Sequence, residues 1–272
     1  MTAPSDPFEV VLLDLDGTVY IGHLPVPGSP EAIAALRARG QRVAFLTNDP
    51  AAGRGEFAAR LATIGVPATP DDVVTTGMAL ALLLRQEGFE GATALILGTP
   101  AFRTEVMAAG LLDADATGAD PKSVDLVVVG GSVDLGHAEL TRATRALRAG
   151  ARLFGAGRDA TYPTPSGPAP ASGPYLASVE VAGGVPATVA GKPERPIFDA
   201  ARTLLGATDG TPICMVGDRL DSDILGAHRA GLTAILVLSG TTTPTDAATA
   251  PITPDLICHN LAEFTGVTDR GD

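Results

Sequence analysis

The chain has 272 residues, of which 45% are apolar and 18% charged, a balance that fits a soluble globular protein and excludes a disordered one. Its net charge of −12 argues against nucleic acid or an anionic membrane surface as partner, because both require a basic footprint. A small anionic substrate is not excluded, since one local cation reverses the field inside a cleft.

The opening MTAPSDPFEV has no basic segment followed by an apolar one, so no secretory signal is read there, and no apolar run nears the roughly 20 residues that span a bilayer. A cytoplasmic location is expected. The first strand is predicted at VVLLD (10–14), followed by a helix in SPEAIAALRARG, with Ser29 as N-cap, Pro30 in its first turn and Gly40 as its stop. Further strands are read at 42–47, 72–74, 93–98, 125–130, 152–157, 213–217, 234–238 and 256–259. They are continuously apolar rather than alternating, as parallel strands covered on both faces must be. Helical segments such as GEFAARLATIG and PERPIFDAARTLLG lie between them, which predicts a doubly wound α/β fold. Cys214 and Cys258 both fall in strand-like runs and are expected as buried free thiols.

The middle of the chain differs from its flanks. Two stretches, TALILGTPAFRTEVMAAGL and DLVVVGGSVDLGHAELTRATRALRAG, resemble two copies of one strand-and-helix unit. The segment 155–184 is rich in Gly, Pro, Ser and Ala and reads as a mobile or specialised loop. An inserted α/β domain is therefore expected over 79–186, interrupting a core made of 1–78 and 187–272.

Asp14 and Asp16 end the first strand. Residues i and i+2 of a strand point to one side, so the two carboxylates are expected to face the same way, where they would repel unless a hard cation such as Mg²⁺ lies between them. Gly17 lets backbone approach a ligand closely and Thr18 adds a hydroxyl; the plain alternative is a solvated D-G turn. Thr47 and Asn48 end the second strand and offer a hydroxyl and an amide to phosphate oxygens, or merely cap the next helix. Lys192 precedes a helix and can neutralise a phosphate, or lie on the surface. At GDRLDSD, Asp218, Asp221 and Asp223 crowd a further strand end, which solubility alone does not explain. Two other segments, GAGRDA and GGVPATVAGKP, superficially suggest nucleotide loops. The first runs into TYPTPSGP, which cannot continue as a helix, and the second has the wrong glycine spacing and a Pro after its lysine.

In the order DxDGT, TN, GKP, GDRLDSD, these segments resemble the haloacid dehalogenase (HAD) superfamily, and in detail its subfamily IIA phosphatases, over nearly the whole chain. The resemblance implies a HAD Rossmann-like core with an inserted α/β cap domain, Mg²⁺ as cofactor, and a small phosphorylated metabolite as partner. Asp14 becomes the nucleophile and Asp16 the general acid and base. Mg²⁺ falls to the Asp14 carboxylate, the Asp16 carbonyl and Asp218, with Asp223 orienting the waters around it. Gly17, Thr47, Asn48 and Lys192 fall to the phosphoryl group. At Asp49 the family usually has Asn, and an added negative charge there weakens an anion's binding unless the side chain turns away. The cap loop GRDATYPTPSGPAP offers Arg158, Asp159 and Tyr162 for selecting the substrate, or for holding the loop itself together. Related proteins form homodimers through the cap; the residues leave the oligomeric state open. A phosphotransferase or phosphomutase, or a non-catalytic phosphometabolite-binding protein on the same fold, stands as the alternative. A receiver domain is much shorter, and a dehalogenase has no use for the acids at 218–223.

Overall fold

The computed structural model describes residues 3–131, 135–164 and 166–267. The chain divides into two units, one comprising Met1–Thr47, Arg54–Val74 and Lys192–Asp272, the other Asn48–Gly53 and Thr75–Gly191.

The first unit is built on a six-stranded sheet. From one edge to the other its strands are Leu256–Cys258, Thr233–Val237, Ile213–Gly217, Val10–Asp14, Arg42–Thr47 and Val73–Thr75. The four pairings from Leu256–Cys258 across to Arg42–Thr47 are parallel. All five residues of both Val10–Asp14 and Ile213–Gly217 are buried, which explains why these strands read as unbroken apolar runs. Flanking helices seal the sheet with side chains such as Ile33, Leu36, Phe57 and Phe198, each contributing about 1.5–3 kcal/mol when taken from water. The order departs from chain order at Val10–Asp14, where the chain first winds one way and later returns to the other side, so the carboxyl ends there form the crevice typical of such sheets.

The second unit carries a five-stranded sheet in the order Thr188–Val189, Arg152–Gly155, Leu126–Val129, Thr93–Leu97, Leu112–Asp113, all parallel. Its helices pack Ala143, Ala146, Leu147, Leu176 and Val179 onto Val127 and Leu153. Both units are thus mixed α/β with parallel sheets, as predicted.

Two local expectations are corrected. Ser29 does not cap its helix. Gly28 takes the cap position, and the buried Ser29 hydroxyl donates to the Val19 carbonyl at 2.6 Å, tying the helix start to the loop after the first strand. The segment 155–184 is not one loop. It holds an antiparallel hairpin, Thr161–Thr164 with Gly167–Pro170, and a twelve-residue helix, Ser172–Gly183. Pro163 and Pro168 sit opposite each other in a two-stranded ribbon, where a missing N–H can point outward, and YLASVEVA supplies the helix with apolar residues. Pro165, inside that predicted loop, and residues 132–134, inside the second copy of the predicted repeat, lie outside the described residues. Cys214 and Cys258 are buried free thiols, as expected. Among the described residues, no helix is long and apolar enough to cross a membrane.

Candidate active site

Register decides which strand ends meet. Leu13 pairs with Val216 and Asp14 with Leu46, so Asp14, Thr47 and Asp218 leave three adjacent strands at one edge, where the ladder stops and polar side chains begin. Beyond Gly217 the chain makes a single π turn, Leu220–Ile224. It turns Asp223 into the protein and leaves Asp221 exposed, paired with Arg219 at 3.1 Å. The three acids that crowd this stretch of sequence are thereby sorted, two inward and one outward.

Asp14, Asp218, Asp223 and Lys192 are all buried, with 8%, 1%, 0% and 4% of their surfaces exposed. Lys192 Nζ donates to Asp14 Oδ1 and lies 2.7 Å from Asp223 Oδ1. Asp223 Oδ2 accepts the Arg219 N–H at 3.0 Å, and Asp218 Oδ2 accepts that of Thr241. Carboxylate oxygens of Asp14, Asp218 and Asp223 lie within 4.8 Å of one another. One ammonium against three carboxylates leaves an excess of negative charge in a buried place, which is costly without a counter-ion. Asp218 Oδ1 is buried with no hydrogen-bond partner among the described residues. A hard divalent cation answers both features, since it takes oxygen ligands and neutralises charge. The donor set, oxygen only, suits Mg²⁺ rather than a thiolate- or imidazole-seeking metal.

The electrostatics agree. Burial pushes the Asp14 carboxyl well above the usual carboxylate range; Lys192 works against that rise, and the Asp223 and Asp218 charges add to it. Burial likewise raises Asp218, with Asp223 reinforcing it, while the Thr241 N–H and Lys192 pull it back. Burial disfavours the Lys192 ammonium, yet the Asp14 and Asp223 carboxylates outweigh it and hold its pKa above the ordinary lysine range. The two carboxylates thus favour the charged form of Lys192.

The strand ends at Asp14, so the alternation rule does not carry to Asp16, which is exposed beyond a bend and bridges to Tyr20. Gly17 has φ +84°, and a Cβ there would lie 2.5 Å from Asp218 Oδ2, so the glycine makes room for the neighbouring carboxylate. Thr47 is buried at its strand end. Asn48, Asp49, Arg158, Asp159 and Tyr162 all belong to the second unit. Asn48 Nδ2 donates to Asp159 Oδ2 at 2.8 Å. Asp49 Oδ1 accepts the Ala51 N–H at 2.8 Å, an Asx-type turn that engages the carboxylate locally. Arg158 forms a two-point pair with Glu180, at 2.9 and 2.7 Å, and Glu180 also accepts the Ala187 N–H. Tyr162 is half exposed on the hairpin, opposite Ala169. Sequence reasoning missed Glu180 and the loop Ser239–Thr242. The loop had one available signal, its place at the carboxyl end of a core strand; Glu180, in mid-helix, had none.

Comparison with known proteins fits this geometry. A family model for haloacid dehalogenase-like hydrolases matches residues 11–112, and a HAD-hydrolase-like model matches 189–264. The D-glycerol 3-phosphate phosphatase of Mycobacterium tuberculosis is 38% identical over 255 residues, covering 93% of this chain and 70% of the relative. Human glycerol-3-phosphate phosphatase is 36% identical, covering 86% of this chain and 80% of its own length. The crystal structure of the M. tuberculosis glycerol phosphate phosphatase in complex with magnesium superimposes with a TM-score of 0.89 at 36% identity, covering 97% of this chain and 78% of that one. The chain belongs to the haloacid dehalogenase-like hydrolases, in their subfamily IIA branch, and is a phosphatase.

Proposed function

We propose that this protein hydrolyses a small phosphomonoester with an uncharged, hydroxyl-bearing leaving group, glycerol 3-phosphate being the first candidate, through an aspartyl-phosphate on Asp14. The observation that carries the proposal is the buried cluster of Asp14, Asp218 and Asp223 around Lys192, with one Asp218 oxygen left over. Asp14 Oδ attacks phosphorus, the ester oxygen leaves with a proton from Asp16, and an acyl phosphate forms. Asp16 then takes a proton from water as that water attacks the same phosphorus, releasing inorganic phosphate and restoring the Asp14 carboxylate. Lys192 holds positive charge at the phosphoryl group, helped by the Thr47 hydroxyl, the Gly17 backbone and the Asn48 amide. Mg²⁺, held by Asp14 and Asp218 with the Asp16 carbonyl, supplies further neutralisation of the phosphate charge. Asp223, ion-paired with Lys192 at 2.7 Å, keeps that side chain in place beside Asp14.

The choice of leaving group is supported by the two glycerol-phosphate phosphatases above and by Arg158, whose guanidinium already faces the Glu180 carboxylate and so favours no second anionic group. The inserted unit serves as the cap in this reading, and the cytoplasm is the compartment. Release of inorganic phosphate is measured over a panel containing glycerol 3-phosphate, phosphoglycolate, sugar phosphates, pyridoxal phosphate and nucleotides, with Mg²⁺ and with chelator. Glycerol 3-phosphate or a sugar phosphate is expected to lead; a preference for phosphoglycolate, whose carboxylate is a second anionic group beside the phosphate, refutes the choice of leaving group.

Two further outcomes are expected. Mg²⁺ added at about 100 times its dissociation constant to chelator-treated protein contributes about 2.7 kcal/mol, or roughly 5–10 °C in Tm by calorimetry. An unchanged Tm at any Mg²⁺ concentration removes the cation from this reading. In the second unit, Asn48→Ala and Asp159→Ala are each expected to raise KM about tenfold, and the double variant no further, because Asp159 acts by aiming the Asn48 amide. Additive losses in steady-state kinetics would instead give Asp159 its own contact with substrate.

A further inference from the structure

We propose that the loop Ser239–Thr242, which follows the strand Thr233–Val237 and lies outside every segment singled out in the sequence, positions the cation ligand Asp218 and the Gly17 carbonyl. The inference rests on the reading above in one respect, that a cation binds at the acidic cluster.

Three contacts converge on Asp218 from this loop. The Thr241 N–H donates to Asp218 Oδ2, the Thr242 N–H donates to the Asp218 carbonyl at 3.3 Å, and Gly240 packs directly against the carboxylate. A Cβ on Gly240 would come within 2.2 Å of Asp218 Oδ2 and 2.7 Å of Gly17 Cα. A Cβ on Gly17 would reach the same Oδ2 at 2.5 Å. The carboxylate is therefore wedged between two residues that have no side chain, one before and one after it in the chain. Neither glycine position tolerates an added methyl without moving Asp218 or the neighbouring backbone.

This wedge divides the labour between the two oxygens. Oδ2 is committed to a backbone N–H, whereas Oδ1 is buried with no hydrogen-bond partner among the described residues. A carboxylate on an exposed turn would rotate freely and present either oxygen. Here rotation is stopped, so the oxygen free for a cation is always the same one, and the ordering is complete before the cation arrives. Ser239 extends the clamp to the nucleophile's own loop, for its Oγ donates to the Gly17 carbonyl at 2.7 Å. One short segment thus fixes both Asp218 and the Gly17–Thr18 peptide, one residue beyond Asp16. Gly240 and Ser239 are positioning residues; they act through Asp218 and Gly17 and touch no reacting atom.

The experiment measures Mg²⁺ affinity by titration calorimetry and by thermal shift, without substrate, on the full chain. Gly240→Ala is expected to weaken Mg²⁺ binding at least tenfold. Ser239→Ala, which removes one hydroxyl, is expected to weaken it about threefold while leaving Tm in chelator within a degree or two of the parent. Thr243→Ala is the control: the Thr243 hydroxyl meets Asp246 at the start of the next helix, so its loss lowers Tm without altering Mg²⁺ affinity. Should Gly240→Ala fail to fold, Ser239→Ala decides. Variants that bind Mg²⁺ as tightly as the parent overturn the inference alone. A parent chain that binds no Mg²⁺ overturns the proposed cation site itself and the inference with it.

Discussion

Asp14→Asn is expected to abolish turnover, by about 10⁴-fold or more in kcat. An amide oxygen is a poor nucleophile toward phosphorus, and no carboxylate neighbour replaces it, since Asp218 is held at Oδ2 by Thr241 with its other oxygen given to the cation in the proposed site, and Asp223 accepts the Arg219 N–H and is ion-paired with Lys192. Acid-quenched protein from labelled substrate should carry phosphate in the parent and none in the variant. The variant should nevertheless fold well. Burial and two like charges oppose ionisation of Asp14, so an uncharged isostere relieves repulsion, and Lys192 keeps Asp223 as its partner. Its Tm in chelator is therefore expected to equal or exceed the parent's, with a smaller rise on adding Mg²⁺. Residual labelling in the variant would place the nucleophile elsewhere.

Lys192→Met should cost both stability and activity. The methionine fills nearly the same volume, but Asp14 and Asp223 then lose their shared counter-charge in a buried place. Breaking a buried ion pair from one side typically costs about 3–5 kcal/mol. For a chain of this size that corresponds to a fall of roughly 10 °C in Tm in chelator. Mg²⁺ is expected to restore part of the loss, because it neutralises the same carboxylates, yet kcat should stay down by about 10³-fold, since a preorganised charge at the phosphoryl group is missing. Stability measured with and without Mg²⁺, beside kcat, separates the two roles. A Tm unchanged in chelator would mean that the carboxylates do not depend on the lysine.

Much of this was legible in the chain. The first strand at Val10–Asp14, its neighbours at Arg42–Thr47 and Ile213–Gly217, and the α/β class all followed from continuous apolar runs bounded by polar turns. The chemical segments could be read because reactive groups in such folds sit where strands end. What was not legible is pairing between side chains far apart in sequence. That Asp49 closes a local turn onto the Ala51 N–H, that Arg158 faces Glu180, and that Asp159 receives Asn48 are settled by the folded backbone, which makes residues 48 and 159 neighbours. Ser29 was misread because a buried acceptor, the Val19 carbonyl, outcompetes the helix N–H groups for its hydroxyl.

Fold class and the inventory of reactive groups can be read along the chain, because hydrophobic periodicity and residue chemistry are local properties. How those groups share charge emerges from the folded arrangement: which oxygen of Asp218 stays unpaired among the described residues, which two carboxylates hold Lys192, and which glycines wedge the ligand. Strand register and burial bring those atoms within a few ångströms of one another, and electrostatic and hydrogen-bond energies depend on that distance, whereas the sequence records only order.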